Sequence, residues 1–170
     1  MTFEEAKQIA EVEIKQQRFS NNDSLIIIDE GIVEKEYAWI FPYTSKKYRE
    51  TKDMNYAIGG NGPLFVSKLD GQISIYRTGL SLDVMIEEHE EKNNLWMLSL
   101  VDTLDSNSFL VLKKILNWTQ GQLIEFRKDS YKVIDKGSKT RLTQIQSSLD
   151  SAHIMTTLIL DKSYHLSANR

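Results

Sequence analysis

The sequence predicts an α+β protein that folds as two small units, and three observations support this prediction. A capped amphipathic helix opens the chain, and strand-rich segments with a hairpin signal at Asp70-Gly71 follow it. Helices and strands then alternate in a second series that begins near Asn93. The 170 residues are 41% hydrophobic and 26% charged, which is typical of a globular protein with a sizeable core.

The first unit, residues 1–92, is predicted to be a helix packed on an antiparallel meander sheet. Thr2 and Glu5 have the spacing of a capping box, and apolar residues follow at helical spacing to about Gln17. A polar loop is expected over 20–24. Alternating or β-branched residues predict strands over 24–29, 32–43, 64–69 and 72–77. Ser81 is placed to cap a short helix that ends near residue 91.

The second unit, residues 93–170, is predicted to be a compact sandwich of three helices on a three-stranded sheet. Apolar runs predict strands over 95–101, 131–134 and 155–160. Helices are expected after Ser106, over 122–128 and from Ser138, and the tail from Asp161 is expected to fray.

Charge is distributed unevenly about this predicted boundary. Residues 1–93 carry 11 basic and 17 acidic side chains, whereas residues 94–170 carry 10 and 7. The contrast indicates two units with different surfaces. The overall charge of −3 disfavours a general nucleic-acid binder, and the absence of cysteine excludes disulfides and thiolate metal sites.

Motifs for catalysis, cofactors and metals are missing. The glycine-rich loop at Gly59-Gly60-Asn61-Gly62 lacks the ending of a phosphate-binding loop, so close backbone packing explains it better. His89 lies among glutamates and is expected on a solvated helix face rather than at a cation site. We therefore expect neither an enzyme, a cofactor nor a metal. Without a signal peptide or a long apolar run, a cytoplasmic protein that does not contact membranes is expected.

Two segments are candidates for partner binding. Trp39, Phe41 and Tyr43 alternate along one predicted strand face, where aromatic side chains form either core or interface anchors. Residues 43–49 mix tyrosine with basic side chains, which suits either an acidic partner surface or a protected sheet edge. Glu34 and Glu36 share the opposite face of that strand.

The stretch from Glu5 to about Glu90 resembles the immunity protein 35 family, small bacterial proteins encoded with polymorphic toxins. The resemblance lies in an ordered series of segments: EEAKQIAE at 4–11, VEKEYAWIF at 33–41, YTSKKY at 43–48, GNGPLFV at 60–66, and Asp70-Gly71. Ala38 and Pro42 depart from the family pattern, and Pro42 implies a strand end or an edge. The resemblance implies a cytoplasmic immunity protein that neutralises a cognate toxin, with papain-like peptidase toxins as one possible target.

The second half resembles the C-terminal domain of the bacterial ribosomal stalk protein. The order of elements is similar, as are LKKIL at 112–116 and LIEFR at 123–127. The resemblance implies contact with a translation GTPase through Lys113, Lys114 and Arg127. Gln120 and Gln122 stand where the stalk motif prefers glycine, and Ile124 replaces a lysine, which counts against that contact.

The leading prediction is therefore stoichiometric binding and occlusion of a cognate toxin. The alternative is a translation-associated or general protein-interaction module that acts through the stalk-like half. The predicted partner-binding residues are Glu34, Glu36, Tyr43, Lys46, Lys47, Tyr48, Arg49, Lys113, Lys114 and Arg127.

Overall fold

The computed structural model describes residues 1–17, 23–76, 78–129 and 132–163, and it opens with helix α1 (Phe3–Gln16). The predicted capping box is confirmed, because Thr2 Oγ1 accepts from the Glu5 N–H and the Glu5 carboxylate accepts from the Thr2 N–H. Ala6, Ala10 and Ile14 form the buried face of the helix. The apolar spacing in the sequence thus predicted both the helix and the side that it buries.

Beneath α1, the first unit contains two antiparallel sheets. Strands β2 (Val33–Glu34), β3 (Ala38–Phe41), β5 (Leu64–Ser67) and β6 (Ile73–Ile75) form one sheet in the order β2-β3-β5-β6. Strands β1 (Leu25–Ile27) and β4 (Tyr43–Ser45) form the other. The core joins the buried face of α1 to side chains of three strands, namely Phe41, Tyr43, Leu64 and Val66. The β5–β6 hairpin turns at the predicted Asp70-Gly71, where Gly71 has a φ of 74°.

The prediction of one long strand over 32–43 is wrong. The chain turns back after β2, where the Lys35 N–H donates to the Ala38 carbonyl at 2.9 Å, so that β2 and β3 form a hairpin. Pro42 has no N–H to continue the ladder, and β3 ends at the residue before it. Both faces of β3 are buried, because Ala38 and Ile40 are as inaccessible as Phe41.

Residues 46–51 form a helix that the sequence analysis did not predict. Ser45 caps the start of helix α2 (Lys46–Thr51), because its hydroxyl accepts from the Tyr48 N–H at 2.9 Å. Lys52 caps its end with a φ of 60°. Of the segment predicted as a possible sheet edge, residues 43–45 form the edge strand β4, whereas its basic residues lie on α2. Its lysine-rich sequence carries no apolar period, so only the capping serine indicated a helix.

The second unit packs helices on a three-stranded antiparallel sheet of order β8-β7-β9. Its order of elements matches the predicted order of strand, helix, helix, strand, helix, strand after an initial helix. The elements are α3 (Leu82–Lys92), β7 (Trp96–Leu100), α4 (Ser106–Ile115), α5 (Gln120–Lys128), β8 (Val133–Gly137), α6 (Lys139–Asp150) and β9 (Thr156–Leu160). An α+β protein with open antiparallel sheets is thus confirmed.

The two compact units divide between Ser81 and Leu82, earlier than the division at residue 92 that the sequence predicted. Helix α3 contacts β8 and α6, and its His89 is only 1% exposed. The expectation that His89 lies on a solvated face is therefore wrong, because that face of α3 packs within the second unit.

Parts of four predictions fall outside the described residues. These are most of the loop at 20–24, the last residue of the strand predicted at 72–77, the start of the strand predicted at 131–134, and the tail beyond 163. Where β8 is described, it begins at Val133 and continues to Gly137.

Candidate functional site

Trp39 lies at the centre of a surface cluster of four side chains that we call the Trp39 cluster: Trp39, Phe3, Lys68 and Glu34. Phe3 meets the indole edge-on, with ring centroids 5.0 Å apart. The Lys68 ammonium lies 4.5 Å from the indole centroid and donates to a Glu34 oxygen at 2.6 Å. These contacts hold a half-buried aromatic side chain and an exposed ion pair in one fixed arrangement.

An open groove of about 690 Å³ lies beside this cluster, between α1 and the β5–β6 turn. We call it the α1 groove. Val12 and Leu69 are 48% and 49% exposed at the groove, and Asp70 and Glu5 supply acidic groups. The complete lining is Met1, Glu5, Gln8, Ile9, Val12, Leu69 and Asp70. Exposed apolar side chains bordered by carboxylates are typical of a protein-binding surface.

The basic residues of the predicted partner segment lie on helix α2 and are held by neighbouring acids. Arg49 forms an ion pair with Glu30, which lowers the pKa of that carboxyl group, and Lys46 lies 3.9 Å from Glu50. The Lys47 ammonium lies over the Tyr56 ring at 5.2 Å. These groups form an exposed mixed-charge surface rather than a uniformly basic one.

Tyr43 differs from the other residues predicted on this segment, because its side chain is part of the core. It lies in the cluster of α1 and the strands, and burial raises its pKa. Glu34 belongs to the Trp39 cluster, and Glu36 is exposed in the β2–β3 turn. Glu34 thus lies on β2 and Glu36 in the turn after it, so the prediction that they share one face of a continuous strand is wrong.

The glycine-rich loop of the sequence packs closely against backbone at Gly62. A Cβ atom at Gly62 would lie within 3 Å of the carbonyl of Tyr76, and Gly60 has a φ of 89°. Asn61 donates to the Tyr43 carbonyl at 2.7 Å. Close backbone approach therefore requires glycine at position 62, and the Asn61 side chain stabilises the fold through its bond to Tyr43.

Residues 4–87 match the family model of immunity protein 35. The matched segment includes the Trp39 cluster except Phe3, the α1 groove except Met1, and all of α2. This immunity protein 35 segment ends within α3, so it supports the resemblance for the N-terminal half of the chain.

Other comparisons found nothing. No curated protein and no solved structure matches this chain. The resemblance of the second half to the ribosomal stalk domain therefore gains no support beyond the order of its elements.

The charge contrast that the sequence indicated depends on where α3 belongs. Residues 1–81 carry 10 basic and 12 acidic side chains, and residues 82–165 carry the same numbers. The excess of acid before residue 93 comes from α3, two of whose glutamates bind backbone N–H groups at the start of α6. The immunity protein 35 segment before α3 is therefore only weakly acidic.

The basic residues of the second unit lie on helices α4 and α5. Lys113 donates to the Gln120 side chain at 3.1 Å, and the Arg127 guanidinium lies 4.5 Å from the Phe109 ring centroid. Lys114 is exposed at the end of α4. These contacts do not test whether Lys113, Lys114 and Arg127 bind a partner, so their contact with a translation GTPase stays a prediction.

Among the described residues, no group of three or more histidine, aspartate or glutamate side chains is arranged to hold a metal ion. A membrane-crossing helix is likewise not found in the described part of the chain. The site residues that sequence analysis missed are Lys68, Leu69 and Val12. Val12 lies more than fifty positions before Lys68 and Leu69 in the chain, and only the packing of α1 on the sheet brings Val12 and Leu69 to one groove.

Proposed function

We propose that the protein is a bacterial immunity protein that binds a cognate toxin protein one-to-one in the cytoplasm and blocks it by covering its surface. The family match over residues 4–87 is the observation that carries the proposal. In this proposal the immunity protein acts as a stoichiometric inhibitor, not as an enzyme that modifies the toxin.

The geometry of the first unit supports a binding role. Inhibition by occlusion requires a surface that keeps its shape, because ordering side chains on binding costs free energy. The Trp39 cluster meets this requirement through its ring contact and ion pair, and the α1 groove adds apolar area beside it. Aromatic and apolar side chains with a polar border form the usual energetic centre of an interface.

The polar candidates fit the border of such an interface. Glu34 belongs to the Trp39 cluster, Glu36 lies in the β2–β3 turn, and Lys46, Lys47, Tyr48 and Arg49 lie on α2. Charges on an interface border mainly set the association rate and the choice of partner. We assign these residues to recognition of the toxin and the α1 groove to affinity.

A titration of toxin activity tests the proposal. The purified chain is added in steps to the toxin encoded beside its gene, and both residual activity and calorimetric heat are measured. We expect activity to fall linearly and to vanish at one equivalent, with a single binding site. Inactivation by a small fraction of an equivalent would indicate an enzyme, and the absence of binding heat would contradict the proposal.

A second candidate function rests on the α4–α5 surface, where Lys113, Lys114 and Arg127 accompany the exposed apolar residues Leu110 and Ile124. This combination suits an acidic, partly apolar protein partner, such as a translation GTPase. Recovery of elongation factors in a pull-down, lost on reversal of the three cations, would favour it over toxin binding.

A further inference from the structure

Strand β9 forms one edge of the three-stranded sheet, and the hydrogen bonds to β7 define which of its backbone groups point outward. The Met155 carbonyl accepts from Val101 at 3.1 Å, and the Asp161 N–H donates to Leu95 at 2.8 Å. Because successive residues of a strand point their backbone groups to opposite sides, Thr156, Leu158 and Leu160 direct theirs away from β7. No strand among the described residues pairs with that outer side.

The other strand edges carry features that discourage pairing, and β9 carries none. Strand β8 presents Asp135 and Lys136, and its register with β7 shifts between Leu98 and Ser99. The edge strands β1, β2, β4 and β6 contain only two or three residues each. Strand β9 has five residues, Thr-Thr-Leu-Ile-Leu, without charge, proline or bulge. Such an unprotected edge is a template for a further strand.

Apolar exposure continues from this edge across one face of the sheet. Met155 is 62% exposed and Ile159 is 45% exposed. Val101 lies opposite Met155 and is also exposed. The edge therefore combines unpaired backbone positions with apolar side chains, the two features that strand addition buries together.

We infer that a second copy of this chain occupies the edge, through antiparallel pairing of β9 with β9. The strand is its own complement, because a two-fold axis through Leu158 places Leu158 opposite itself and Thr156 opposite Leu160. Leu158 then forms a hydrogen-bonded pair with its own copy, and the Thr156 N–H donates to the Leu160 carbonyl of the other copy. The strand carries no charge, so the symmetric pairing brings no like charges together. Gln146, which donates to the Thr156 carbonyl at 3.1 Å, marks the end of the paired region.

Cysteine cross-linking tests the register directly, because the chain has no native cysteine. In the inferred dimer the two Leu158 Cα atoms lie about 5.5 Å apart, within the range of a disulfide. We expect Leu158→Cys to form a covalent dimer under mild oxidation. Thr156→Cys serves as the matched control, since its two copies would lie roughly 13 Å apart and should remain monomers on a denaturing gel. Equal cross-linking of both variants, or of neither, would overturn the inference.

A proline substitution tests the backbone pairing. The Leu158 N–H points outward, so Leu158→Pro removes a hydrogen bond of the inferred dimer without breaking the ladder to β7. We expect sedimentation equilibrium to give twice 19.7 kDa for the native chain and 19.7 kDa for Leu158→Pro, with Leu158→Val remaining dimeric. A native chain that is monomeric at high micromolar concentration would overturn the inference and leave the edge to a toxin strand or to the chain's own C-terminal segment. This outcome leaves toxin binding by the first unit unaffected.

Discussion

Arg141 of α6 donates its Nε hydrogen to the carboxylate of Glu91, the penultimate residue of α3, with both oxygens at 3.1 Å. The same carboxylate accepts from the Ser138 N–H at 2.7 Å, directly before α6 begins. Burial opposes ionisation of Glu91, but the bonds from Arg141 and Ser138 outweigh it and lower the pKa. Helix α3, which the sequence analysis placed in the first unit, is thereby bonded to α6 of the second unit.

We expect Glu91→Gln to destabilise the second unit by about 1 kcal/mol, because a partly exposed, charge-assisted bond to Arg141 is lost while the shape of the side chain is kept. The free energy of unfolding in urea measures this change. Glu88→Gln is the control, since Glu88 lies exposed on the same helix. We expect it to change the free energy by less than about 0.5 kcal/mol. Equal effects of the two substitutions would show that Glu91 acts only through helix charge.

Gly62→Ala is expected to destabilise the first unit by about 1–3 kcal/mol, because the new methyl group meets the carbonyl of Tyr76 and the backbone must shift. Gly59→Ala is a control in the same loop, since a Cβ atom there has no neighbour within 4 Å. Thermal unfolding followed by circular dichroism compares the two. A melting temperature lowered as much by Gly59→Ala would indicate that loop flexibility, rather than the close approach at Gly62, explains the glycines.

Because His89 is buried, we expect the free energy of unfolding to depend on pH. Burial and the nearby Lys92 lower the pKa of folded His89 from 6.5 to about 4, so protonation favours the unfolded chain. The contribution of this residue is therefore complete above pH 6.5 and is lost as the pH falls from 6.5 to about 4. We expect its loss to cost about 3 kcal/mol at most.

Denaturant titrations across this pH range check the expectation on native and variant chains. His89→Gln should lose most of the slope between pH 6.5 and 4. The control His153→Asn changes an exposed histidine at a φ of 58°, a backbone conformation that asparagine tolerates, and should keep the native slope. A native slope in His89→Gln would mean that other groups cause the pH dependence.

Toxin binding should depend on the α1 groove. We expect Leu69→Arg to weaken the affinity at least about tenfold, because it places a charge in the apolar part of the interface. Met54→Arg is the matched control, since Met54 is exposed in the same unit outside the groove. Calorimetry with the native toxin measures both. If Leu69→Arg binds normally while Lys46→Glu does not, the interface lies on α2 instead.

Local patterns predicted much of the secondary structure. The capping box at Thr2 and Glu5, the turn at Asp70-Gly71 and the apolar spacing of α6 depend on residues a few positions apart, and the structure contains all three features. The prediction of one strand over 32–43 also relied on a local pattern, and it was wrong because strand bounds depend on more than local alternation. Its alternation is local, but the turn before Ala38 and the end at Phe41 follow from pairing with other strands and from Pro42.

The sequence by itself determined the class of fold, the lack of thiol chemistry and the resemblance to immunity protein 35, because these depend on composition and on ordered local motifs. Only the tertiary structure decided that α3 belongs to the second unit, that Tyr43 is core, and that Val12 meets Leu69 across a groove. Each of these depends on contacts between residues far apart in the chain. Local propensity carries no information about such contacts, because the burial of a side chain depends on which distant element packs against it.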